Sequence, residues 1–255
     1  MKRPLLVLLL LLIARIAQSQ ETVNTSILLI PYQPEFYLSD AERDIMAQST
    51  RTPEEYRAYF RKVLDLKLMA ELETIGPVYS MLQDTSAAGR KDLQRYFGST
   101  GFSYADPVGP RVPDKKEIRK EDKKYELFNN QHAAPQTITT RGDTKYMQAI
   151  PGDTAFFSAL AAKHHSGLII SINQFEIKTN YNSCIDIANK VYRRELILHY
   201  SIFLPNGKQI RGNYLMEFFP SNSNREQDIA EKCFPLLAAQ MKKQAEEALG
   251  IKTGK

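Results

Sequence analysis

Hydrophobic and polar positions alternate most clearly in the C-terminal third of the chain. In residues 191–204 the even positions Leu196, Leu198, Tyr200, Ile202 and Leu204 are apolar, while Arg193, Glu195 and His199 fall on the odd ones. In residues 208–219 the even positions Ile210, Tyr214, Met216 and Phe218 are again apolar. A period of two is the signature of a half-buried strand, with His199 on the polar, solvent-facing side. Pro205-Asn206-Gly207 joins the two. A two-residue turn would set even positions against odd ones. A three-residue loop instead pairs Ile202 with Ile210 and Leu198 with Tyr214 and keeps one face apolar. Proline and asparagine suit the centre of a type I turn, and Gly207 suits the left-handed residue after it.

The remaining elements follow from shorter signals. The apolar run 26–30, stopped by Pro31, reads as a buried strand. Ser39-Asp40-Ala41-Glu42 and Thr52-Pro53-Glu54-Glu55 have the form of capping boxes and predict helices over 39–48 and 53–74. The second helix carries Tyr56, Phe60, Leu64, Leu68 and Leu72 on one face, with a weaker helical signal as far as Phe97. Asp153 is the expected N-cap of a helix to Ala162, which Gly167 stops before a strand over 168–177. Ser223-Asn224-Arg225-Glu226 predicts the start of a last helix to Leu249, kinked or restarted at Pro235. Between 99 and 152 the pattern fades into a proline cluster and a stretch of closely mixed charge at 114–124, which reads as a solvated helix. The expected fold class is therefore α/β (α+β). It is one domain with a mixed or antiparallel sheet of at least four strands, built from 20–98 and 153–250, with helices packed on the sheet and 99–152 as an insertion or flexible excursion.

Composition sharpens this picture at the N-terminus. Of 255 residues, 43% are hydrophobic and 25% charged, and the formal net charge is +5. Lys2 and Arg3 precede an apolar run from Leu5 to Ala14, and Ala17 and Ser19 offer small residues before Gln20. That order predicts a signal peptide over 1–19 and a periplasmic or secreted protein. Its removal takes away Lys2, Arg3 and Arg15 and no acid, leaving 31 basic against 29 acidic side chains, a net charge of +2. The basic excess expected of a general nucleic-acid binder is gone. The cleavage region has no lipid-attachment cysteine, and no run beyond it approaches the length of a transmembrane segment. In an exported chain the two cysteines, Cys184 and Cys233, permit a disulfide; two separate buried thiols are the alternative.

Signatures of chemistry are few. HExxH, Cys-x-x-Cys and Gly-x-Ser-x-Gly do not occur, and Gly98-Ser99-Thr100-Gly101 lacks the strand and lysine of a phosphate loop. No catalytic, metal or cofactor set follows. His164-His165, at a helix end, is the most enzyme-like pair, yet neighbouring residues on a helix diverge and a histidine there also suits the dipole. Arg141-Gly142-Asp143 reads as a turn. Tyr32, Phe36 and Tyr37 follow the first strand at its carboxyl end, where open α/β sheets tend to bind ligands, and are a candidate contact surface for a partner or ligand; a packing role before the helix at Ser39 is the equal alternative.

The opening strand ending in Ile30-Pro31-Tyr32, its following helix, the helix–strand pair 153–177, the hairpin and the long terminal helix together resemble a known type. They are similar to periplasmic α/β domains of the TolB N-terminal and CsgG-like kind, which open with a strand ending in Pro-Phe where Pro31-Tyr32 stands here. The likeness covers roughly 23–75 and 153–249. It implies a non-enzymatic component of the bacterial cell envelope that binds other envelope proteins or self-assembles as a homo-oligomer, with no catalytic residues. The competing expectation is an extracytoplasmic, hydrolase-like enzyme using His164 or His165.

Overall fold

Proline has no N–H to give a sheet, so Pro31 ends the first strand after four residues. The computed structural model describes residues 24–109 and 145–251; residues 1–19, expected to be a signal peptide, the mixed-charge stretch 114–124 and Arg141-Gly142-Asp143 lie outside them. Short as it is, β1 (Ile27–Ile30) is wholly buried. It runs parallel between β3 (Val78–Ser80) and β6 (Leu168–Asp186). From β6 the sheet continues as an antiparallel meander through β7 (Val191–Phe203) and β8 (Gln209–Pro220). β2 (Tyr37–Ser39) pairs parallel with β6 beyond the end of β1 and completes a mixed, six-stranded sheet. The fold is α/β, with the sheet between two covering layers.

One layer is helical. α1 (Glu42–Met46) is short; α2 (Pro53–Leu72) and α6 (Phe234–Ala248) pack side by side on the sheet, and α5 (Glu226–Lys232) leads into α6. Tyr56, Phe60, Leu64, Leu68 and Leu72 of α2 meet Leu237, Met241 and Ala245 of α6 over Ile170, Ile172, Phe175, Leu196, Leu198 and Tyr200. Each such buried aliphatic or aromatic side chain contributes about 1.5–3 kcal/mol. The other layer combines α3 (Ala87–Ser99), α4 (Thr154–Lys163) and a two-stranded ribbon of β4 (Thr100–Ala105) and β5 (Tyr146–Pro151). The two ends of the 99–152 excursion are thus the paired strands of one ribbon, and the weak helical signal before Phe97 resolves into β3 and α3.

Of the three predicted capping boxes, Thr52–Glu55 forms in both directions. The other two do not. Ser39 ends β2 and accepts the Ala41 N–H rather than that of Glu42, while Glu226 turns inward, buried, to Ser49 and Arg51. Pro235 restarts the terminal helix as expected, at the first turn of α6. Helix α4 is stopped by His165 rather than Gly167. His165 is left-handed (φ 50°), and the Ser166 and His165 N–H groups return to the Ala161 and Ala162 carbonyls, the usual glycine arrangement. Gly167 serves the strand contact: a Cβ there would stand 1.9 Å from the Asn24 carbonyl oxygen.

The hairpin loop forms as predicted, with Leu204 bonded to Lys208 and Gly207 left-handed (φ 81°). Its register does not. A bulge between Phe203 and Ile202 on the β8 side inserts Ile210, so Ile202 faces Arg211 and Leu198 faces Leu215. One extra residue turns the rest of the strand over. Leu215 and Phe219 enter the core, and Tyr214 joins the opposite face beside His199. The turnover also places Gly212 under the ribbon, where a Cβ would lie 2.1 Å from the Tyr146 hydroxyl.

Strand β8 is the sheet's edge, and its outward backbone groups are engaged one by one. Val108 exchanges two hydrogen bonds with Gly212, the Asn213 side chain accepts the Tyr214 N–H, and Gln240 of α6 donates to the Met216 carbonyl at 3.1 Å. The Cys233 thiol lies 3.9 Å from the Phe218 carbonyl. An edge so occupied resists pairing with a foreign strand.

Candidate functional site

The seam between sheet and ribbon holds the densest polar chemistry among the described residues. A bulge at Asn173 in β6 puts both Asn173 and Gln174 on the ribbon face, followed by Glu176. β7 contributes His199 and Ser201 to the same face. All five are buried. Strand β5 lies with its edge down on these side chains, which act as a substitute for a neighbouring strand. The Met147 N–H donates to His199 Nδ1 at 2.9 Å, and Asn173 Nδ2 donates to the Met147 carbonyl at 2.8 Å. The Ala149 N–H donates to Ser201 Oγ at 3.3 Å, and that hydroxyl also receives Asn173 Nδ2 at 2.9 Å. Further along, the Tyr104 hydroxyl lies against the Gln174 amide at 3.0–3.1 Å, and Gln209 donates to the Tyr146 hydroxyl.

His199 Nε2 faces Glu176 Oε1 at 3.3 Å. Glu176 is also paired with Lys178 and Gln174. Burial works to raise the Glu176 carboxyl, but His199 and the Lys178 ammonium outweigh it and hold the group below the usual carboxylate range. The polar face expected for His199 is therefore correct in its side-chain types and wrong in its exposure: the ring is 4% exposed. The sequence signal was the turn to polar residues in Asn173 to Lys178, which becomes meaningful only once β5 covers it.

A second buried group sits at the carboxyl ends of β1 and β3. Asp65 of α2 accepts from Ser80 Oγ at 2.9 Å and from Gln83 Nε2 at 2.7 Å, and burial pushes its carboxyl up. Tyr32 occupies the adjacent space; its carbonyl accepts Arg61 Nε at 2.8 Å, with the guanidinium 5.8 Å from the ring centre. Of the candidate contact aromatics, Tyr32 and Tyr37 thus belong to the core. The Tyr37 hydroxyl is bonded to Tyr56 at 2.7 Å, and burial raises its pKa to about 12. Phe36 is half-buried, edge-on to Phe102 at 4.9 Å.

His164 stacks on Tyr79 with ring centres 3.9 Å apart, and burial lowers its pKa from the ordinary imidazole value. His165, and not His164, lines a shallow cavity of about 520 Å³ with Asn24, Ser158, Ser166 and Asn206. The two imidazoles are not brought together. Nor are the thiols: no disulfide joins Cys184 and Cys233. Cys184 lies on β6 and Cys233 beside the outer edge of β8, with β7 between them. Two strand spacings come to about 9.5 Å, beyond the ~7 Å that a disulfide spans between Cα atoms. The expected bridge does not form.

The β6–β7 hairpin continues past the sheet body. From Asn180 on, β6 pairs only with Val191–Arg193 through two irregular steps. Its tip presents Tyr181 and Ile187, 68% and 67% exposed. The Tyr192 ring supports Tyr181 edge-on at 5.3 Å.

No helix among the described residues is long and apolar enough to cross a membrane, and none of their His, Cys, Asp and Glu side chains gather in threes as a metal site would require. No protein-family model matches the chain, and no curated protein matches it in sequence.

Proposed function

We propose that this chain is an exported, non-enzymatic binding or assembly module of the bacterial cell envelope, acting through protein contacts. The observation that carries this reading is the overhanging β6–β7 tip, whose two most exposed apolar side chains stand clear of the sheet at its carboxyl end. An apolar group in that position gains from burial only against another molecule. The basic, apolar, small-residue order of 1–19 supports export. A photo-crosslinking amino acid placed at position 181, with Lys62 on the exposed side of α2 as control, tests the reading in cells. A discrete adduct from 181, absent from 62 and lost with Ile187→Asp, is expected in the exported fraction. An uncleaved protein retained in the cytoplasm, or monomer alone from both positions, overturns it.

A second reading, an extracytoplasmic enzyme using His165, draws on one observation: a histidine holds a left-handed position that glycine fills with less strain, beside a cavity. His165→Gly separates the two. A purely structural His165 gives a variant more stable by about 0.5–1 kcal/mol in urea unfolding, with unchanged crosslinking at 181. Loss of a measured turnover with that gain in stability would favour the enzyme.

A further inference from the structure

We infer that the β4–β5 ribbon is fastened by a proton-sensitive clasp, in which His199 must be unprotonated at Nδ1 for β5 to dock on the sheet. A backbone N–H can only donate, so the nitrogen that receives Met147 must carry a lone pair. The neutral ring then has its proton on Nε2, facing Glu176 Oε1. A second proton has one place to go, and that is the atom holding Met147. An imidazolium at this position has no acceptor left, and the Met147 N–H becomes a buried donor without a partner. Either the ring stays neutral and the ribbon docked, or the ring is charged and β5 lifts from it.

The surroundings make the charged arrangement a real competitor. Glu176 of β6 remains a carboxylate as the pH falls, so an imidazolium keeps a counter-ion when it loses the ribbon. Lys178, from the same strand, opposes the added charge through its pairing with Glu176. β4 contributes Tyr104 and β8 contributes Tyr214, uncharged phenols with ring centres 6.2 and 6.0 Å from the imidazole. β5 meets the ring through the Met147 N–H, and its Tyr146 hydroxyl is engaged by Gln209. The other two attachments of the β5 backbone, Asn173 to the Met147 carbonyl and Ser201 to the Ala149 N–H, do not titrate, so the response begins at Met147. Histidine is the side chain whose ordinary titration falls at about pH 6.5.

Amide hydrogen exchange of the full chain at pH 7.5 and pH 5.0, corrected for intrinsic rates, tests the clasp. The Met147 amide is expected to lose at least about tenfold in protection at the lower pH, while Leu29 in the central strand keeps its own. His199→Asn, whose amide oxygen takes the place of Nδ1 and does not titrate, is expected to hold Met147 equally at both values. Equal protection of wild-type Met147 at the two pH values, or the same loss in His199→Asn, overturns the proposal. In the wild type alone, the ¹⁵N signals of the His199 ring and the Met147 amide are expected to titrate with one midpoint. A ring that takes its second proton while the Met147 signal stays still overturns it equally.

Discussion

Asp65 is a carboxylate that the fold disfavours. Because burial raises its pKa above the unfolded value of 3.8, the folded protein binds that proton more tightly than the unfolded chain does. Stability contributed by this group is therefore present at low pH and declines as the pH rises from about 3.8 through the folded value. Asp65→Asn is expected to flatten that decline and to be at least as stable as the wild type at pH 7, read from urea midpoints across pH 3.5–7. A variant that keeps the slope would locate it in another group. Gly212 illustrates the opposite kind of residue, chosen for what it lacks. Gly212→Ala sets a methyl 2.1 Å from the Tyr146 hydroxyl and should cost about 1–3 kcal/mol by overpacking. Tyr146→Leu, which removes both that oxygen and the ring carbon Cζ at 2.4 Å, should show a favourable coupling with Gly212→Ala in a double-mutant cycle. Additive costs would show that the strain lies elsewhere. Neither role was legible in the sequence, since a glycine in a strand and an aspartate in a helix are ordinary until their neighbours across the fold are known.

Among the elements, those with a strong local period were legible and those held by partners were not. α2 was visible in its capping box and four-residue apolar step, and the Pro205-Asn206-Gly207 loop in its turn chemistry. The register of β8 was hidden because both faces of that strand carry apolar residues, so the alternation allowed either. The inserted Ile210 made the choice, and the ribbon's need for Gly212 supplies the reason. β3 is three residues long and survives only as a neighbour of β1. Edge strand β8 depends on side chains that a sequence pattern does not connect to it. Gln240→Ala leaves the Met216 carbonyl without its helix donor and should destabilise the protein by about 1 kcal/mol in chemical unfolding. No change in midpoint would show that water replaces the amide at no cost.

For the whole molecule, the placement of the thiols yields a simple measurement. Cys233 is 4% exposed and Cys184 partly exposed, with no bond between them. One thiol should be alkylated readily in the native state and both in denaturant, with no mass change on reduction; a protein inert to alkylation in denaturant would mean the bridge exists after all. The sequence by itself determined the α/β class, the extent of the main helices and the apolar strands, because local periodicity, caps and turn residues act over a few positions. Only the tertiary structure decided that Tyr32 and Tyr37 are core, that the cysteines stay apart, and that His199 is covered rather than exposed. Each of those outcomes depends on a segment distant in the chain: α2 over the tyrosines, β7 between the thiols, and β5 laid across the sheet. A side chain's neighbours set its burial, and burial turned a polar strand face into a clasp.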